Sequence, residues 1–370
     1  MRHHSTILRL SAATAAAALL LTACDGGGEG EDDGGDDGDS YSIGITQIVS
    51  HPSLDAAREG FKAAFEDAGV EVDWDEQNAQ NDQATATNIA GTFATAGHDL
   101  VHAIATPTAQ AAAQSITDIP IVFSSVTEPQ EAGLVDDWDA PGGNVTGASD
   151  MNPVADQLEL LQEIAPDVES VGIVYSSGEV NAAVQVELAH EAAEELGLEI
   201  HEATVSNSAE VQQGVESLSV DAIYVPTDNA VVSALESVLQ YAHQNQIPVI
   251  AAEGDSVQRG ALATYGINYE NLGRQAGEMA LRILQDGEDP AEMPVETGEV
   301  LELVVNPEAA EQMGIELDDE LLDRADGVVG EDLEELDPED GDEDADEDAD
   351  EDSDEDSDED AEDDVDEDDE

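Results

Sequence analysis

Residues 44–72 read GITQIVSHPSLDAAREGFKAAFEDAGVEV, and residues 172–200 read GIVYSSGEVNAAVQVELAHEAAEELGLEI. Laid over one another they keep a constant offset of 128, with Gly44 over Gly172, Ile45 over Ile173 and Gly69 over Gly197. In each, a β-branched run gives way to a stretch with apolar residues at helical spacing. Each stretch ends on glycine, the residue that tolerates the left-handed turn closing a helix. The echo continues downstream. Ile104-Ala-Thr-Pro-Thr108 matches Ile223-Tyr-Val-Pro-Thr227, and Ile119-Pro-Ile-Val122 matches Ile247-Pro-Val-Ile250. Three echoes in the same order predict two similar lobes, each running strand, helix, strand, helix, strand with Pro-Thr, helix, Ile-Pro strand.

Working outward, short β-branched runs alternate with helical stretches from 41 to 326. The runs are Ser42–Val49, Leu100–Ala105, Ile119–Phe123, Ser170–Tyr175, Val220–Val225 and Ile247–Ala251. Such alternation predicts an α/β chain with two similar doubly wound parallel-sheet lobes. Ligands of open parallel sheets bind beyond the C-terminal strand ends, so two facing lobes place a ligand cleft between them. After residues 260–269, a helix over Glu270–Leu284 and a strand over Val295–Val305 predict repeated crossings between lobes. The expected division is 41–150 with 268–290 for the first lobe, and 151–267 with 291–326 for the second.

The 370 residues include 91 acids against 8 lysines and arginines, a formal charge of -83. That excludes nucleic-acid binding by phosphate neutralisation and electrostatic docking to anionic lipid. The acid is not confined to the tails. More than half of it lies between 40 and 330, beside one lysine, Lys62, and five arginines. Such a body repels itself at ordinary ionic strength and is screened in molar salt, which predicts a source living in high salt. Residues 327–370 read as a disordered acidic tail.

Cys24 is the sole cysteine, which excludes an intrachain disulfide, a two-thiol redox site and a multi-cysteine zinc site. No metal or cofactor is expected. Ahead of Cys24 stand a start with Arg2 and Arg9, a short apolar run and Leu21-Thr-Ala-Cys24. A charged start, a short apolar run and small residues describe a secretory signal. The run is too short for a span of ~20 residues. Leu-Thr-Ala-Cys resembles the lipobox of bacterial lipoproteins, which implies a signal peptide over 1–23, lipidation of Cys24 and a membrane anchor. Residues 24–40 then form an acidic, glycine-rich tether.

More specific motifs are Ile45-Thr-Gln-Ile-Val-Ser-His-Pro-Ser-Leu-Asp-Ala-Ala-Arg-Glu-Gly-Phe61, Thr106-Pro-Thr108, Phe123-Ser-Ser-Val-Thr-Glu-Pro129, Tyr175-Ser-Ser177 with Asn181, Pro226-Thr-Asp-Asn229, and Ala263-Thr-Tyr-Gly-Ile-Asn-Tyr-Glu-Asn-Leu-Gly-Arg274. Together they resemble the ABC-transporter substrate-binding family that includes tryptophan and tyrosine binders, on a type I periplasmic-binding-protein fold. The resemblance spans about 41–326. It implies a binding protein on the outer face of the cytoplasmic membrane. Such a protein delivers a small organic solute, an aromatic amino acid among the candidates, to a permease with its cytoplasmic ATPase. It does no chemistry on the solute. The sequence has no GxSxG, HExxH or Walker loop. A ligand sensor for a membrane receptor and a hydrolase on the same fold are the competing classes, and a sugar is a competing solute.

Candidate ligand residues follow from position at strand ends. Gln47 and His51 follow the first strand, with capping by Ser50 or Ser53 as the plain alternative. Thr106 follows the third strand, and Ser124 and Ser125 end the fourth. With few cations available, hydroxyls and backbone N–H groups are expected to hold a ligand carboxylate. Asp150 sits at the first crossover. Tyr175, Ser176 and Asn181 follow the first strand of the second lobe. Asp228 and Asn229 open the helix after Pro226-Thr227, and Glu253 ends a strand. A buried carboxylate at such a position pairs with a ligand ammonium. Tyr175 and Tyr265 are expected to stack on an aromatic ligand, ahead of Trp74 and Trp138.

Overall fold

The computed structural model describes residues 40–298 and 300–330. The predicted signal peptide, Cys24, the tether before residue 40 and the tail from 331 lie outside the described residues.

The first lobe begins with β1 (Tyr41–Gln47), α1 (Pro52–Asp67), β2 (Val72–Asn78) and α2 (Gln83–Ala96). It continues through β3 (Leu100–Ile104), α3 (Thr106–Ser115), β4 (Ile121–Ser124) and β5 (Val145–Ser149). The second lobe runs α4 (Val154–Ile164), β6 (Ser170–Ser176), α5 (Val180–Leu196), β7 (Glu199–Val205), α6 (Val211–Glu216) and β8 (Ala222–Val225). It goes on through α7 (Asn229–Ser233), α8 (Leu235–Asn245), β9 (Val249–Ala251), α9 (Gly254–Gln258) and β10 (Ala263–Ile267). The chain returns for α10 (Tyr269–Leu281) and β11 (Glu296–Thr297). It crosses again for β12 (Leu301–Val305), α11 (Pro307–Met313), α12 (Asp319–Asp323) and β13 (Gly327–Val328).

One sheet has the order β11-β5-β4-β3-β1-β2 and the other β13-β12-β10-β9-β8-β6-β7. The run β5-β4-β3-β1-β2 has its counterpart in β10-β9-β8-β6-β7, so the sequence repeat is realised as a repeat of strand order. All pairings are parallel except β10 with β12. Central strands such as β3, β4, β8 and β9 are buried along their whole length. They read as continuous apolar runs because helices cover both faces. The matched glycines share a duty. A Cβ on Gly44 meets Phe93 and His98 at 3.0 and 2.9 Å, and one on Gly172 meets Leu218 and Val220 at 2.9 Å.

α10 belongs to the first lobe although it follows the second in sequence. It lies against α1 at backbone contact: a Cβ on Gly273 falls 1.9 Å from the Ala57 carbonyl oxygen, and one on Gly60 falls 2.0 Å from that of Glu270. Phe61 and Phe65 on α1 then stack into the core, with Phe61 lying 3.8 Å from the ring of His102 on β3.

The expectation of one strand over Val295–Val305 needs correcting. The stretch is cut in two, with β11 pairing β5 in the first sheet and β12 pairing β10 in the second. Residues 291–297 accordingly sit with the first lobe. Met293 and Val295 are buried in its two apolar clusters, and the Thr146 hydroxyl donates to the Met293 carbonyl at 2.9 Å. At the other boundary, 327–328 pair with β12 as the outer strand of the second sheet. The chain thus passes between lobes three times: after Ser149, at Asn268, and between Thr297 and Leu301.

Candidate ligand cleft

The C-terminal ends of β1, β3 and β4 face those of β6, β8 and β9 across a narrow cavity of about 20 Å³. That is room for about one water, far below the roughly 300–1,000 Å³ of ligand pockets, so a larger occupant needs the facing walls to part. The first lobe and the crossovers line it with His51, Leu54, Ala105, Ser125, Asp150 and Tyr269. The second lobe contributes Asn181, Thr227, Asp228, Asn229, Val232 and Glu253.

The two walls differ in polarity. In the first lobe α1 starts from His51 with Pro52 in its first turn, and α3 starts from Ala105 with Pro107 in its first turn. Neither helix has a side-chain cap. Uncapped N–H groups and the positive end of the helix dipole favour an anion there. The backbone is held in costly conformations on this wall. Ala105 has φ 80 and ψ 152, and Ser125 has φ 57. Left-handed conformations of non-glycine residues cost about 1–3 kcal/mol each and cluster at ligand clamps. The Ser125 hydroxyl and His51 Nδ1 are buried without a partner.

The second wall is built of acceptors. Asp228 caps α7, taking the Val231 N–H at 2.9 Å, and also takes the Ser176 N–H at 2.5 Å. Burial first, and the Glu179 charge second, push its carboxyl up to about 7. Glu253 accepts from the Ser256 hydroxyl at 2.6 Å and from the Ser53 hydroxyl of the opposite lobe, and burial raises its pKa. Asp150, at the crossover, accepts from Tyr269 at 2.8 Å and Thr127 at 3.0 Å, and burial pushes it up to about 6. Thr227 is held from below: its N–H donates to Gln185 Oε1 at 3.1 Å, and Gln185 Nε2 donates to its hydroxyl.

Among the described residues no lysine or arginine lines the cavity. Lys62, Arg58, Arg259, Arg274, Arg282 and Arg324 are each paired with a carboxylate elsewhere. His51 is no substitute cation. Burial first, then Arg259, lower it to about 4, so it is neutral near pH 7. Among the described residues no group of three His, Cys, Asp or Glu is placed to hold a metal ion.

Of the candidates named from sequence, the structure gathers His51, Ser125, Asp150, Asn181, Asp228, Asn229 and Glu253 around this one cavity. The other six do not line it. Gln47 braces the loop before α1, donating to Asp55 and to the Val49 carbonyl, each at 2.7 Å. Thr106 is buried in the first turn of α3 with its hydroxyl unpartnered. Ser124 points into the core, 3.3 Å from His102 Nε2. Ser176 offers its backbone N–H to Asp228. Tyr175 reaches outward to Glu202 at 2.8 Å, and Tyr265 packs against the second lobe's core. The tyrosine that does line the cavity is Tyr269. Leu54, Ala105, Thr227 and Val232 also line it. Thr227 lay within the Pro-Thr echo, and Tyr269 opens the helix after the second crossover. The apolar three carried no sequence signal distinguishing them from core residues. Trp74 packs edge-on against Phe65, and Trp138 donates to Glu128 at 2.7 Å.

Comparison with known proteins agrees with this geometry. The model of the family described as ABC transporter substrate binding protein matches residues 42–329. A tyrosine-binding protein of Clostridioides difficile (strain R20291) is 43% identical over 281 residues, 74% of this chain and 81% of that protein. A solved ABC domain from Streptococcus pneumonia in complex with L-Trp is 34% identical, with a TM-score of 0.76, covering 79% of this chain and 100% of its own. The ligand-free, open structure of a substrate-binding protein with adhesive properties from Clostridium difficile is 44% identical. It has a TM-score of 0.61 over 78% of this chain and 99% of its own. The structure nearer in sequence thus fits less well than the L-Trp complex, as similar lobes set at a different angle do. The lobes here are bridged across the cleft by Ser53 with Glu253 and by Thr127 with Thr227 at 3.3 Å. With its repeat of strand order, its cleft and these relatives, the chain belongs to the ABC transporter substrate-binding protein family.

Proposed function

We propose that this protein captures an aromatic L-amino acid as its zwitterion and delivers it to an ABC permease for import, tethered to the outer face of the cytoplasmic membrane through a lipid on Cys24. The observation that carries the reading is the opposite polarity of the cavity walls. Uncapped starts of α1 and α3 suit a carboxylate, and the carboxyl-rich wall of Asp228, Glu253 and Asp150 suits an ammonium. With no arginine or lysine on the lining, an anion is left to N–H and hydroxyl donors, which agrees with a monocarboxylate better than with a doubly charged solute. Leu54, Ala105, Val232 and the ring of Tyr269 supply apolar surface for a side chain. The tyrosine and L-Trp named for the two relatives favour an aromatic one.

Delivery needs no chemistry on the solute. Binding favours the closed arrangement by the interactions made only there, and the permease reads the closed form. The test is a thermal-shift screen of the full chain in molar salt against amino acids and sugars. L-tyrosine or L-tryptophan at a hundred times its Kd stabilises the folded state by about 2.7 kcal/mol. A screen in which only sugars raise the midpoint overturns the reading.

A further inference from the structure

Glu179 stands just outside the cavity and makes four hydrogen bonds there as acceptor. It takes the backbone N–H of Asn229 at 3.1 Å and that of Ala230 at 3.3 Å, at the start of α7. It also takes the side-chain NH2 of Asn229 at 2.5 Å and that of Asn181 at 3.2 Å. Both asparagines line the cavity; Glu179 does not.

The consequence is directional. An asparagine amide presents donors at one end and an acceptor at the other. With its NH2 drawn back to Glu179, each amide turns its oxygen the other way, that of Asn229 beside the His51 ring. For Asn181 the orientation is fixed independently. Its Nδ2 also donates to the Thr227 carbonyl at 2.7 Å, and a carbonyl oxygen can only accept. Its Oδ1 is buried with no protein partner. A buried acceptor without a donor costs about 1–3 kcal/mol unless the ligand supplies one.

We propose that Glu179 is a positioning residue that sets ligand specificity by turning the amide oxygens of Asn181 and Asn229 toward the cavity, so that this wall accepts an ammonium and rejects ligands with fewer donors. This deepens the amino-acid reading and rests on it. Asn181, Asn229 and Asp228 are contributed by the starts of α5 and α7, so one carboxylate sets the polarity of two helix ends. An ammonium brings three donors, a hydroxyl one. A site built around buried acceptors discriminates strongly against the analogue that leaves them unpaired.

The test uses the full chain in molar salt, with L-tyrosine and its α-hydroxy acid, 3-(4-hydroxyphenyl)lactate, as probes for calorimetry. Glu179→Gln keeps the shape but replaces one acceptor atom with a donor, so the α7 N–H groups and both asparagine NH2 groups can no longer all be satisfied. Asn181 stays held by the Thr227 carbonyl, while the Asn229 amide, whose NH2 has no other acceptor, is released to turn over and present its NH2 to the ammonium. L-tyrosine affinity then falls about 10- to 100-fold, while affinity for the hydroxy acid changes less than about 3-fold. In the cycle with Asn229→Ala the losses are non-additive, because Glu179 acts through Asn229. A parallel fall for both probes with additive losses marks a merely structural role and overturns the proposal, as does unchanged L-tyrosine affinity. Should the unmodified protein bind no amino acid at all, the amino-acid reading fails and this one with it. Should it bind L-tyrosine with no change in Glu179→Gln, only this one fails.

Discussion

The Ser53 hydroxyl, in the first turn of α1, donates to the Glu253 carboxylate beyond the end of β9, joining the two lobes across 200 residues of sequence. Both groups are buried, and Glu253 keeps a second donor, the Ser256 hydroxyl, within its own lobe. The bond across the cleft exists only when the lobes are closed. Ser53→Ala removes it without unpairing the carboxylate completely. A hydrogen bond to a charged group contributes about 1.5–3 kcal/mol. Ligand affinity is expected to fall about 10-fold or more, chiefly through faster dissociation, while the empty protein melts nearly as before. Stopped-flow dissociation that is unchanged in the variant removes Ser53 from the latch.

The carboxyls of the cleft give the empty protein an unusual pH response. Asp228 and Asp150 stand at about 7 and about 6 against an ordinary 3.8, and Glu253 and Asp255 shift the same way. Between about pH 4 and 7 these carboxyls hold more protons in the folded state than in the unfolded chain, and by themselves they lower stability as pH rises. His51 at about 4 and His102 at about 3, against 6.5, act in the opposite sense from about pH 7.5 downward. From pH 8 down to 6.5 the two aspartates add about 1 kcal/mol to the empty protein and the two histidines withdraw nearly as much, so its stability changes little. Below 6.5 the two histidines roughly offset the two aspartates, so stability levels off. Ligand binding runs against the carboxyl contribution: an ammonium favours ionised Asp228, so affinity rises with pH through about 7. Urea unfolding and calorimetry on one pH series measure both trends, and a common sign for the two contradicts the account.

Ala105 occupies a backbone region that only glycine enters freely, and its N–H donates to the Ser124 carbonyl at 3.0 Å. The strain is held by α3 on one side and β4 on the other, and it fixes the N-terminus that is offered to the ligand. Ala105→Gly relieves about 1–3 kcal/mol of strain and returns roughly 0.5–1 kcal/mol as chain entropy. The net stabilisation of about 1 kcal/mol raises the melting midpoint by about 2 °C. Affinity is expected to drop several-fold, because a loosened loop must be ordered on binding. A variant that is both more stable and equally tight shows that the strain has no part in binding.

Much of this was legible in the sequence, for definite reasons. Central parallel strands are apolar on both faces, so β1 and β6 and their following helices stood out as a repeat. The split between β11 and β12 did not, because Val295 and Leu301–Val305 look like one apolar run. Only the crossing of the chain from one sheet to the other separates them. In the cleft, polar residues at strand ends stood out because each interrupts an apolar run at the point where the chain leaves the core. Ser124 and Ser125 show the limit. They are adjacent and chemically identical, yet the first follows the strand's alternation into the core beside His102. The second is turned by its positive φ to the cavity. Leu54 and Val232 line the cleft with side chains that are equally at home in a core, and nothing in residue type marks them out.

The last expectation concerns the charge of the folded body. Cations among the described residues are all paired, so the many remaining carboxylates at the surface have only one another. α5 carries Glu187, Glu191, Glu194 and Glu195. Glu187 and Glu191 are spaced i,i+4, as are Glu191 and Glu195, and such like-charge pairs destabilise by roughly 0.2–0.5 kcal/mol each. Raising ionic strength from 0.15 to 1 M shortens the screening length from about 8 Å to about 3 Å. Relief of each such pair is expected to raise the melting midpoint by up to about 1 °C, and the rise accumulates over the acidic surface. Because the acids of the tether and the tail contribute charge of their own, the comparison includes residues 40–330 expressed alone beside the full chain. Potassium chloride is tested against sucrose of equal osmolality, which strengthens burial without screening charge. A rise in chloride that persists in the trimmed chain and is absent in sucrose assigns the effect to the acids of the folded body. Equal melting in dilute buffer and molar chloride rules that assignment out.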